Sequence, residues 1–118
     1  MRALLRSPNR LVALALGVAS GGYGVLSLLG ARVPLGILFV GVAVLLVLGA
    51  ALGIAAARRA NIGVGVAWIA LGYAGLFLIG SEANVLGMIA PDEVVLFAAA
   101  TVHLAVGLGA RRDVAALE

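Results

Sequence analysis

The chain has 118 residues, 64% of them hydrophobic and 11% charged, with a net charge of +3 and no cysteine. A soluble domain is nearer half apolar and a quarter charged, and a globule this small cannot hide so much apolar surface from water. The composition therefore excludes a water-soluble globule, disulfides and cysteine chemistry, and the eight basic residues, all arginines at the ends of apolar runs, lack the clustered footprint that nucleic-acid binding needs.

Arg2, Arg6 and Arg10 precede a first apolar run, Leu11–Leu29. About 20 apolar residues are needed to cross a hydrocarbon core, and helices satisfy their amides internally there, so this run reads as a transmembrane helix. The basic start and the residues at 18–20 also admit a signal peptide cut near Ser20. The run is longer than a usual signal core, however, and cleavage would destroy the first copy of the repeat described below. Gly17 and Gly21 form a GxxxG pair, with Gly24 beyond them, and suit close helix packing. Ser20, Tyr23 and Ser27 share a face. That face reads either as hydroxyl glue between helices or as a polar lining for a substrate or ion.

A short connector carrying Arg32 leads to the second run, Leu35–Ala57, with a second GxxxG pair at Gly49 and Gly53. Arg58 and Arg59 close it. The third run, Asn61–Ile79, carries Gly72 and Tyr73, and places Trp68 deeper than an interfacial aromatic belt. Residues 81–93 form a longer connector whose apolar middle, "NVLGMIA", either dips into the interface or covers the mouth of the bundle. Pro91 suits a helix's first turn, where Asp92 and Glu93 favour its positive end. With Glu82 they form the one acidic cluster, read as a solvated connector and helix cap or as a cation-collecting mouth.

The fourth run, Val94–Ala110, holds His103, the one ionisable residue deep in a span. Such a residue is a functional candidate. A single axial bond to a pigment or haem through His103 is one reading. A neutral histidine bonding across helices is the other, favoured because no second histidine or intramembrane acid is visible beside it. Gly107 lies on the same small-residue face, and Arg111 and Arg112 follow the run.

The stretch 22–30, "GYGVLSLLG", returns as "GYAGLFLIG" at 72–80, and each copy is followed by a connector, a second apolar run and an arginine pair. The expected architecture is a single all-α transmembrane domain over 1–118. It contains four helices arranged as two tandem parallel hairpins, one over about 9–59 and one over about 60–112, related by an axis along the membrane normal. Seven arginines fall on one side and Arg32 alone on the other. The positive-inside rule then puts both termini in the cytoplasm, in a bacterial inner membrane.

The segments "NRLVALALGVASGGYGVLSLLG" and "RRANIGVGVAWIALGYAGLFLIGSEANVLGMIAPDEVVLFAAATVHLAVGLGAR" resemble the DUF4383 family of small four-helix membrane proteins found largely in actinobacteria. The resemblance implies four-helix topology and no known chemistry. It also implies a histidine early in helix four, where Leu96 stands here while His103 lies deeper.

No nucleophile–base–acid grouping, phosphate loop or metalloprotease motif is present, so no enzyme activity and no cofactor are expected. The expected function is a structural or accessory subunit that packs against the lipid bilayer and other transmembrane helices. The alternatives are a small oligomeric transporter or channel, and cofactor or pigment binding through His103.

Overall fold

The computed structural model describes residues 1–118 and is all-helical. In chain order its elements are α1 (Arg2–Arg6), α2 (Pro8–Leu29), α3 (Val33–Leu52), α4 (Ile54–Leu78), α5 (Ala90–Gly109) and α6 (Arg111–Leu117). The four from α2 to α5 are long and apolar enough to cross a membrane. The 20 residues of α3 and of α5 each rise about 30 Å at 1.5 Å per residue. The termini and the α3–α4 corner lie at one end of the bundle, since Asn9, Asn61 and Asp113 meet there.

Local chemistry moves two boundaries away from the apolar pattern. The α2 helix starts at Pro8 because the Ser7 hydroxyl accepts from the Arg10 main-chain N–H at 3.3 Å, and proline fits a first turn. The α3 helix ends at Leu52 rather than Ala57. Gly53 has φ 127° and ψ −174°, a backbone region that essentially only glycine occupies, and it turns the chain directly into α4. Gly53 is therefore a corner and not a packing residue: a Cβ there would have nothing within 4 Å. The break falls ahead of Arg58 and Arg59, which sit inside α4 instead of closing a hairpin.

Glycines set the closest helix contacts. A Cβ at Gly24 would stand 2.8 Å from Val40 Cγ2 and 2.9 Å from the Gly36 carbonyl, so α2 and α3 meet there backbone to backbone. Gly17 faces Leu46 and Val47, and Gly21 faces Ala43. Between α4 and α5, Gly72 takes the Phe97 ring and Gly107 takes Ile62. Gly49 meets Ala60 and Ala56 across the α3–α4 seam. Lipid tails are as apolar as leucine, so such tight packing and hydrogen bonds, rather than apolar burial, hold membrane helices together.

The middle layer is aromatic. The Phe39 ring lies 4.8 Å from Tyr23 and 4.9 Å from Trp68, centroid to centroid. Leu35, Leu46, Met88 and Leu96 share the core with Phe39 and Trp68, together with Val64 and four alanines. Tyr73 does not mirror Tyr23: it is 59% exposed and stands edge-on to Phe97, 5.4 Å away. Phe77 is 82% exposed.

Candidate functional site

Most buried polar side chains gather in two clusters, one at each end; Ser20 and the unpartnered Trp68 indole N–H lie outside them. The first joins four buried side chains from four helices. Asp113 of α6 accepts through Oδ2 from the main-chain N–H of Asn9 at 2.8 Å and from its Nδ2 at 2.9 Å. Asn61 of α4 donates from Nδ2 to the Asn9 main-chain carbonyl and to Asn9 Oδ1, each at 3.0 Å. Asn61 Oδ1 then lies 2.9 Å from His103 Nδ1.

The direction of these bonds fixes the histidine. The Asp113 carboxylate accepts, so Asn9 presents its NH₂ to it and its oxygen to Asn61. Asn61 spends its NH₂ on Asn9, which leaves its oxygen for His103. His103 therefore donates from Nδ1–H to the Asn61 oxygen. His103 is 0% exposed, Nε2 has no partner, and none of the cavities is lined by it. It bonds Asn61 and packs its Cβ close to Gly65, both on α4.

Through Asn61 and Asn9 the network links His103 to an acid, Asp113, that lies on α6 outside the four spans. Asn9 and Asn61 were legible as polar residues at the edges of apolar runs, but Asp113 is 104 positions from Asn9 and nothing local pairs them.

Two arginines complete this end. Arg10 Nε donates to the Ala50 carbonyl at 2.8 Å, near the end of α3. Arg58 Nε donates to the Gly107 carbonyl at 2.9 Å, near the end of α5. Each places a cation on carbonyls that the helix leaves unpaired and at its negative pole.

The second cluster is centred on Asp92, at the start of α5. It is 0% exposed, which overturns its reading as a solvated connector residue. Its Oδ1 accepts from the Tyr23 hydroxyl, and its Oδ2 pairs with the Arg32 guanidinium and accepts from the Ile89 main-chain N–H at 2.8 Å. Arg32 also reaches the Gly87 carbonyl at 3.5 Å. Burial alone would lower the Arg32 pKa, but the Asp92 carboxylate outweighs it and raises the value. The connector is further closed by Asn84, which donates to the Met88 carbonyl at 2.8 Å and accepts from the Met88 N–H at 2.9 Å. Met88 itself is buried in the core.

Of Ser20, Tyr23 and Ser27, the last two spend their hydroxyls on bonds within the chain. Ser27 Oγ turns back to the Tyr23 carbonyl of its own helix at 2.9 Å, and the Tyr23 hydroxyl is taken by Asp92. Ser20 and Tyr23 border a groove of about 320 Å³ between α2 and α5 whose other walls, among them Leu16, Phe39, Val95 and Val102, are apolar. Beside the second cluster the Glu93 carboxylate packs directly against Gly75, and neither oxygen has a hydrogen-bond partner.

Compared with protein-family models, curated proteins and solved structures, the chain matches none of them.

Proposed function

We propose that this chain is a structural or accessory subunit of a membrane assembly, holding a rigid four-helix unit against other transmembrane helices. One observation carries the reading. The two buried hydrogen-bond networks join the chain to itself at its two ends, with the Phe39–Trp68 layer between them, where the Trp68 indole N–H has no partner. A transporter would place polar or ionisable groups along a path between those ends.

The outward faces supply what a docking subunit needs. Gly22 on α2 and Gly41 on α3 are exposed, and a Cβ on either would meet nothing within 4 Å. Open glycines on a lipid-facing surface let another helix's backbone approach closely.

A duplicated origin fits this unit. In each half an arginine on the first long helix, Arg10 or Arg58, donates to a carbonyl near the end of the second. Asn9 and Asn61 meet across the halves. The arginine-rich end is assigned to the cytoplasm of a bacterial inner membrane by the positive-inside rule.

The test is a photo-crosslinking residue placed at Val18 or Val25, beside Gly22. A crosslink to one other membrane protein is the expected result. Crosslinks to lipid alone would contradict the proposal.

A further inference from the structure

We propose that the groove between α3 and α4 at the arginine-rich end binds one anionic phospholipid, with an acyl chain along the groove and the phosphate on Arg59. The groove has a volume of about 390 Å³ and opens beside the Gly53 corner. Its walls are Leu48 and Leu52 from α3 and Ala56 and Ala60 from α4, with Gly49 between the helices. The volume falls in the range of roughly 300–1,000 Å³ that small-molecule sites occupy.

Small side chains make this groove. Gly49 lets α4 come so close that a Cβ there would lie 3.1 Å from Ala60 Cβ, while Leu48 and Leu52 stand exposed to one side. The result is an apolar trough on the membrane-facing surface, of the kind that a hydrocarbon chain fills.

Charge names the occupant. Arg59 lines the groove and is exposed, and it makes no ion pair, since the single salt bridge of the molecule joins Arg32 to Asp92 at the opposite end. Its neighbour Arg58, about 100° round the helix, is committed to the Gly107 carbonyl. Arg59 is thus free to meet a phosphate at headgroup level, and guanidinium and phosphate match in shape and charge. Basic pockets between transmembrane helices recognise anionic headgroups in this way.

The test uses the full chain in nanodiscs holding equal phosphatidylglycerol and phosphatidylcholine, released for native mass spectrometry. One bound phosphatidylglycerol should be retained in preference to phosphatidylcholine. Arg59→Gln should cut that preference roughly fivefold, the weight of one arginine facing an anionic lipid. Gly63→Leu places bulk in the groove at a position where a Cβ meets nothing within 4 Å, so the fold is kept, and it should reduce retention of either lipid. Excess inorganic phosphate should not compete, because the acyl chain contributes to binding. The proposal is overturned if the wild-type chain shows no preference, if Arg111→Gln lowers it as much as Arg59→Gln does, or if free phosphate displaces the lipid.

Discussion

Asn61 donates from its side-chain Nδ2 to two oxygens of Asn9, the main-chain carbonyl and Oδ1, across 52 positions of sequence. Through this contact α2 and α4 are joined directly, and Asp113 and His103 are attached at either side. Each of these groups is buried, so removing one leaves others unsatisfied.

Asn61→Ala should lower stability by about 1–3 kcal/mol, the cost of orphaned buried polar groups. Unfolding in mild detergent, followed by fluorescence of the single tryptophan, Trp68, would measure it. A double-mutant cycle of Asn9→Ala and Asn61→Ala should give a coupling of about 0.6–1.7 kcal/mol, as for other hydrogen bonds between membrane helices. Additive losses would mean the two amides act independently.

At the other end, Asp92→Ala removes the acceptor of three donors at once. Arg32 is partly exposed and can turn to water, so the expected loss is about 2 kcal/mol rather than the 3–5 of a fully buried pair. Tyr23→Phe removes one bond and should cost about 1 kcal/mol. Limited proteolysis gives a second readout: Asp92→Ala should speed cleavage in residues 80–89, and Tyr23→Phe should do so less. Equal cleavage in all three proteins would show that Asp92 does not fasten the connector.

Glycines divide by environment. Gly24→Ala pushes a methyl into Val40 and the Gly36 carbonyl, and overpacking of that kind costs about 1–3 kcal/mol. Gly53→Ala meets no neighbour but is forced to φ 127°, a strain of about 1–3 kcal/mol. Gly22→Ala meets neither obstacle and should stay within about 0.5 kcal/mol of wild type. Thermal unfolding of the three variants side by side would check the order; a destabilised Gly22→Ala would show that this face is already covered.

The sequence made some of this visible and hid the rest for identifiable reasons. Four apolar runs announce four long helices because lipid demands continuous apolarity over each span. The corner at Gly53 is invisible in that pattern, since Leu35–Ala57 is apolar throughout and only the backbone angle distinguishes Gly53 from Gly49. Gly17, Gly21, Gly24, Gly72 and Gly107 lie on helix-packing faces, where small residues at helical spacing pointed. Asp92 looked like a solvated cap because its partners, Tyr23 and Arg32, lie 69 and 60 positions earlier. The Asp113–Asn9–Asn61–His103 chain was hidden in the same way, its members being brought together only by packing of the helices. Tyr23 and Tyr73, matched in the repeat, end in different surroundings because only Tyr23 faces Asp92.

We propose above all that this four-helix unit serves an assembly. The most direct test is to tag the chain after Glu118, extract it gently from its native membrane and determine the mass of the intact particle. Co-purification with other membrane proteins in a fixed ratio is the expected result. A particle made of this chain alone, whether monomer or homo-oligomer, would contradict it and turn attention to flux across liposomes.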